Sequence, residues 1–233
     1  MRSGGVVSSV IGRLMPSVCL ICGCRGRPGL DCCAGCEADL PAIADQCRQC
    51  GLPMPTPTRA CGRCSRRPPA FRRTWPAFAY TGPVERLVHR FKFHRDLASG
   101  RLLANLTARR LAAVGAHRPQ ALVPVPLHWR RHLWRGFNQS GMLADDLSRQ
   151  LGGIPVAAML NRSRATPAQS ALPAASRGAN VRGAFRARLP GGRVRHVALV
   201  DDVMTTGTTL DACARVLRQA GVEWVDVWVV ARA

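Results

Sequence analysis

Val197-Ala-Leu-Val-Asp-Asp-Val-Met-Thr-Thr-Gly-Thr-Thr-Leu210 is the stretch whose reading decides the fold. Val197 to Val200 form a short apolar run, three of them strand-favouring, of the kind buried on both faces of a parallel sheet. The run stops at two adjacent acids, Asp201 and Asp202, and Thr205-Thr206-Gly207-Thr208-Thr209 leads into a helical pattern from Leu210 to Ala220. In open parallel sheets ligands gather at the carboxyl ends of the strands, and a helix start aims backbone N–H groups at an anion. Gly207 permits a backbone conformation closed to bulkier residues, while the threonine hydroxyls add donors. The turn predicts a phosphate cradle, and the acid pair beside it calls for hydroxyls or a cation. A ribose 5-phosphate meets both demands. The competing reading is a buried strand followed by an ordinary Asp/Thr turn and helix cap.

The same residues resemble the phosphoribosyl pyrophosphate (PRPP) motif of type I phosphoribosyltransferases. By that resemblance Asp201 and Asp202 hold the ribose hydroxyls, and Thr205, Thr206, Gly207, Thr208 and Thr209 hold the 5-phosphate.

At 233 residues the chain has room for one good core and a small appendage. Its formal charge of +21 comes from 34 basic residues against 13 acids, and Lys92 is the one lysine. Such an excess suits a polyanionic partner such as DNA or RNA. It also suits a merely solvated surface in which arginine replaces lysine wholesale, because no arginine run is long and aromatic interleaving is sparse.

Of eleven cysteines, ten precede residue 65, and eight of those form four Cys-x-x-Cys pairs. This is metal spacing: Cys19, Cys22, Cys33 and Cys36 make one expected Zn²⁺ site, and Cys47, Cys50, Cys61 and Cys64 a second. Ten residues separate Cys22 from Cys33 and ten separate Cys50 from Cys61, which suits sequential zinc ribbons, though a cross-braced pairing also satisfies the spacing. Cys32 competes with Cys33 as a ligand; Cys33 keeps the two-residue spacing to Cys36. Disulfides or a redox Cys-x-x-Cys are the alternatives, but a Pro/Gly-rich segment with almost no aromatic core needs staples to fold. A reducing, cytoplasmic setting keeps the thiolates available. Cys213, among Leu210, Ala214 and Leu217, reads as a buried thiol.

Residues 1–18 form a lead-in segment, too short and polar for a membrane span and without a clean cleavage site. The double ribbon occupies 19–66, and 67–73, with its paired prolines and arginines, reads as a wet linker. Residues 74–233 form the α/β domain, a parallel sheet flanked by helices. Within it a strand is expected at 74–81, helices at Val84–Phe93, Leu97–Val114 and Gln139–Leu151, and strands at 156–160 and 222–230. His89, Lys92 and His94 read as solvated. Ala121-Leu-Val-Pro-Val-Pro-Leu127 is another short apolar run, with Pro124 and Pro126 limiting its ladder. It empties into a loop carrying His128, Arg130, Arg131, His132 and Arg135, which reads as a diphosphate grip. Ser163 to Ser176 cannot pack a core and reads as a disordered connection or, preferably, as a lid that orders over ligand.

Taken together, the four Cys-x-x-Cys pairs, Val-Pro-Val-Pro-Leu127, Arg135-Gly-Phe-Asn-Gln-Ser140, Arg162-x-Arg164-x-Thr166-x-x-Gln169 and Asp201-Asp202-Val-x-Thr-Thr-Gly207 resemble the ComF family over nearly the whole chain. The resemblance implies a double zinc ribbon joined to a type I phosphoribosyltransferase domain, associated with bacterial DNA uptake and competence. It also implies substrate contacts from Arg130, Arg131, Arg135, Arg162 and Arg164. Cys24 and Cys32 are extra to the family pattern.

Two functions fit these motifs. One is a pentosyl transferase of unknown acceptor, using PRPP with Mg²⁺, in which arginines 130 to 135 and the ion steady the departing pyrophosphate while the acid pair supports a positively charging ribose. The other is a non-catalytic PRPP sensor that binds single-stranded DNA and meets DNA-uptake or recombination proteins through the zinc domain. An ATPase is disfavoured, since there is no G-x-x-x-x-G-K-[ST] and Lys92 is remote in sequence from the Gly/Thr turn.

Overall fold

The computed structural model describes residues 17–127, 136–163, 183–191 and 193–233. Two short helices, α1 (Ala34–Ala38) and α2 (Gly62–Arg66), lie in the cysteine-rich part. There follow β1 (Arg73–Ala79), α3 (Gly82–Phe93), α4 (Leu97–Ala113), β2 (Ala121–Pro124), α5 (Gln139–Gln150), β3 (Leu160–Arg162), β4 (Phe185–Ala187), β5 (His196–Met204), α6 (Thr208–Gln219) and β6 (Trp224–Arg232).

The sheet has the order β1-β6-β5-β2, and every pairing in it is parallel. Side chains alternate across β5, so Ala198 and Val200 enter one core with Phe91, Leu103 and Leu143 of α3, α4 and α5. Val197 and Leu199 enter the other, with Leu210, Ala214 and Leu217 of α6. The helices follow their apolar stripes: Val84, Leu87, Val88 and Phe91 are all buried on α3, each burial worth roughly 2 kcal/mol before chain entropy. Asp96 caps α4 by accepting from the Ser99 N–H, and Asn138 caps α5 by accepting from Ser140.

Three local expectations change. β5 does not stop at the acids but runs on to Met204, because Asp201 and Val203 keep their register with Val229 and Ala231 of β6. The strand expected at 156–160 is a single parallel bridge, Leu122 to Val156, followed by β3, which pairs antiparallel with β4. Pro124 ends β2 without harming the β5 ladder. Alternation turns its missing N–H to the side where Leu122 donates to Pro155 O, while Val125 N–H still reaches Val200 O at 3.0 Å.

The 67–73 segment is docked rather than wet. Phe71 is buried, Ala70 N–H donates to Asp211 Oδ1 at 2.7 Å, and Arg72 N–H donates to Val225 O at 2.7 Å. The cysteine-rich part packs directly on the sheet. Cys19, Leu30, Cys32 and Leu40 belong to the α3–α5 core, whereas Cys47, Cys50, Cys61 and Cys64 belong to the α6 core. Ala42 bridges Phe78, and Ala79 N–H donates to Pro41 O at 2.8 Å, so edge strand β1 is covered instead of open. Among the described residues no helix is long and apolar enough to cross a membrane.

Candidate functional site

The carboxyl end of β5, the turn after it and the first turns of α5 and α6 enclose a cavity of about 380 Å³. Asp201 and Asp202 line it together with every residue from Thr205 to Leu210. Gly207 adopts φ 76°, the left-handed region, and an added Cβ would lie 2.4 Å from Met204 Cε. No side chain caps α6 at this glycine, in contrast to α4 and α5. The opening N–H groups of α6 are thereby left for a ligand, which is how a helix start becomes an anion site. Thr206 and Thr208 join their hydroxyls at 2.8 Å on the same turn.

The acids are held from two helices that come earlier in the chain. Asp201 Oδ1 accepts from Ser140 Oγ at 2.9 Å and from Asp202 N–H at 3.0 Å. Asp202 Oδ1 accepts from Val203 N–H at 2.6 Å and lies 2.9 Å from Lys92 Nζ on α3. Burial pushes the Asp201 carboxyl up to about 7, and the neighbouring Asp202 carboxylate adds to it against the pull of Lys92 and Ser140. For Lys92 burial opposes the charge, yet the Asp202 carboxylate more than offsets this and the ammonium is held above its ordinary value.

Lys92, expected to be solvated, is a correction: it lines the same cavity as the Gly/Thr turn, as does Ser140, which the sequence shows only as the end of the Arg135–Ser140 motif. The one signal of Lys92 in the sequence is compositional, a single lysine among 34 basic residues, a compact point charge where the other 33 are broader guanidiniums. Tyr80 and Arg162 also line the cavity, and Arg162 is buried, its guanidinium carbon 5.4 Å from the Phe185 ring centroid. Arg130, Arg131, Arg135 and Arg164, with most of the expected lid, lie outside the described residues. His89 and His94 are exposed, and Cys213 is buried, with burial pushing its thiol well up.

The cysteines gather in sequential sets. The sulfurs of Cys19, Cys22, Cys33 and Cys36 lie within 4.8 Å of one another, as do those of Cys47, Cys50, Cys61 and Cys64. Sγ–Sγ separations of 3.7 Å between Cys22 and Cys33 and 3.8 Å between Cys50 and Cys61 are far too long for a disulfide. They match the roughly 3.8 Å edge of a tetrahedron with zinc–sulfur bonds of about 2.3 Å. N–H groups are aimed at the sulfurs: Cys36 donates to Cys33 Sγ at 3.4 Å and Cys61 to Cys47 Sγ at 3.2 Å. Burial opposes ionisation of Cys19, but donors from Cys33, Cys22 and Ile21 bring it down to about 6, as a metal thiolate requires. Cys32 stands outside its set; its thiol points at Cys33 O at 3.5 Å and burial pushes it up to about 12. The two four-cysteine sets fit a double zinc ribbon.

Arg232 ties the second set to the turn that follows β5. Its Nε donates to Cys50 O at 2.9 Å and its Nη1 to Met204 O at 3.1 Å, one residue before Thr205.

Parallel sheet, uncapped glycine turn and acid pair define a protein of type I phosphoribosyltransferase architecture, and residues 138–233 match the phosphoribosyl transferase domain family. The chain belongs to the ComF family. It is 40% identical to DNA utilization protein YhgH of Salmonella typhimurium, over 86% of this chain and 89% of that protein. It is 35% identical to competence protein F of Haemophilus influenzae, over 90% and 95%. The solved purine phosphoribosyltransferase of Pyrococcus horikoshii aligns with 57% of this chain and 73% of its own at 18% identity and a TM-score of 0.36.

Proposed function

We propose that the chain is a phosphoribosyltransferase-like protein that binds PRPP with Mg²⁺ at the end of β5 and serves bacterial DNA uptake. The link to DNA handling is drawn from its relatives, named for DNA utilization and competence. The observation that carries the ligand is the uncapped start of α6 at Gly207, which shares one cavity with Asp201 and Asp202. In this reading the α6 amides and Thr205 to Thr209 take the 5-phosphate, the acid pair takes the ribose hydroxyls, and Lys92 holds Asp202 in place at 2.9 Å. Arg162, with Arg130, Arg131, Arg135 and Arg164, is assigned to the diphosphate. As positive charge builds on the ribose, a fixed carboxylate beside it lowers the barrier. Mg²⁺ fits as an ion carried mainly on the ligand's own oxygens, because Asp202 is already engaged by Lys92 and offers no separate cage. When bound it would neutralise the diphosphate. Residues 19–66 form the zinc domain and 74–233 the transferase domain, with the eight clustered cysteines as ligands of two structural zinc ions.

Titration calorimetry of PRPP with Mg²⁺ into the zinc-loaded chain tests this. The Asp201→Ala/Asp202→Ala double variant should lose the binding heat while retaining its zinc; unchanged affinity defeats the assignment. Pyrophosphate release in the presence of candidate bases and amines separates a transferase from a PRPP sensor.

A further inference from the structure

We propose that a second ligand site, for single-stranded nucleic acid, lies at the opposite end of the sheet from the acid pair. A groove of about 880 Å³ opens there, lined by Arg48, Arg59, Arg72, Arg73, Arg218 and Trp224, with His117 beside them. Its walls are assembled from remote parts of the chain. Arg48 and Arg59 come from the second cysteine set, Arg72 from the docked 67–73 segment, Arg73 from the start of β1, and Arg218 from the last turn of α6.

The groove carries five arginines, of which Arg72 also pairs with Asp226 at 3.4 Å. Among the described residues the one acid lining the groove, Glu223, is already held by Arg193 and Arg195, each at 2.8 Å. Burial and the neighbouring Arg48 guanidinium both hold Arg73 below its ordinary value, Asp226 acting the other way. Guanidiniums crowded together in this manner are suited to phosphates, which they grip through paired N–H donors.

Charge alone would suit any polyanion; the rings narrow the class. Trp224 is 46% exposed, a large area for so apolar a ring, and two cations lie near it, with Arg72 Cζ 5.5 Å and Arg195 Cζ 5.8 Å from its centroid. His117 meets Trp75 edge to face at 6.0 Å, and Arg73 Cζ lies 3.6 Å from the centroid of that same Trp75. A basic channel with an open aromatic face is what a strand with unpaired bases uses, the phosphates following the cations and a base stacking on the ring. A duplex hides its base faces and gains nothing from Trp224.

The site does not depend on the sugar-phosphate assignment. The two sites lie at opposite ends of β6, a strand of nine residues, roughly 25–30 Å long. It rests on the DNA-handling part of that reading only for the expectation that DNA is the strand encountered.

Fluorescence anisotropy on the full-length, zinc-loaded chain tests it, using labelled oligo-dT and oligo-rU of about 20 nucleotides, a duplex of the same length, and polyphosphate as competitor. Arg48→Glu/Arg59→Glu should weaken oligonucleotide binding at least about tenfold and flatten the log–log salt dependence by about 1.4, two contacts' worth for a single strand. Arg86→Glu/Arg101→Glu, the same charge change on α3 and α4, should cost less than about threefold. Trp224→Ala should weaken oligonucleotide binding at least about fivefold and leave polyphosphate binding unaltered. Calorimetry with PRPP should be indifferent to all of these. A preference for dT or for rU assigns the source within the class. Equal losses from the two arginine pairs, equal affinity for the duplex, or no effect of Trp224→Ala would each overturn the proposal.

Discussion

Lys92 Nζ lies 2.9 Å from Asp202 Oδ1, joining the last turn of α3 to the end of β5 across 110 residues of sequence. Since Asp202 is only 7% exposed, this ammonium is what makes a carboxylate tolerable there. Lys92→Met should leave two neighbouring acids without their buried counter-ion. PRPP affinity is expected to fall at least tenfold, with a stability loss on the order of 2 kcal/mol. Calorimetry and urea melts measure the two effects, and retention of full affinity would remove Lys92 from the site.

Asp201 carries a pH signature. Its folded value, about 7, stands above the ordinary carboxyl value, so the folded chain binds the extra proton between those limits. Its contribution to stability is therefore fully present at low pH and is lost as pH rises through about 7. Asp201→Asn, which cannot ionise, should flatten that part of the Tm-against-pH curve and leave the ligand-free variant more stable than the parent at pH 8. Ser140→Ala, which removes the donor at 2.9 Å, should move the midpoint upward.

Gly207→Ala tests the turn. At φ 76°, with Met204 Cε 2.4 Å from the position of the added Cβ, the substitution strains the backbone and displaces a side chain. A cost of about 1–2 kcal/mol in folding is expected, with a loss of PRPP affinity from the shifted α6 amides. Gly191→Ala, where a Cβ meets nothing within 4 Å, serves as the control.

Zinc release with a chromophoric chelator should give two ions per chain. Cys22→Ser and Cys50→Ser should each remove one, whereas Cys24→Ser and Cys32→Ala should remove none, because neither residue belongs to a four-sulfur set. Through Arg232, which bonds Cys50 O and Met204 O, loss of the second ion should also weaken PRPP binding. Loss of the first should not, apart from a general fall in Tm.

Periodicity and spacing determined much of this protein. The apolar run before Asp201 specified a strand buried on both faces, the stripe from Val84 to Phe91 a packed helix, and the four Cys-x-x-Cys pairs two sulfur sets. These signals are local: each is a repeat or a short motif whose meaning follows from backbone geometry within one element. What only tertiary structure decided is what meets what. Sequential rather than cross-braced cysteine pairing depends on which turns face each other, and the union of Lys92, Ser140 and Asp202 in one cavity depends on the sheet order β1-β6-β5-β2. The same holds for arginines and rings that look scattered along the chain but converge between the second cysteine set and the start of β6. Contacts across a hundred residues leave no mark on local periodicity, because the free energy that makes them is that of burying whole faces, and one sequence stripe can be buried against many partners.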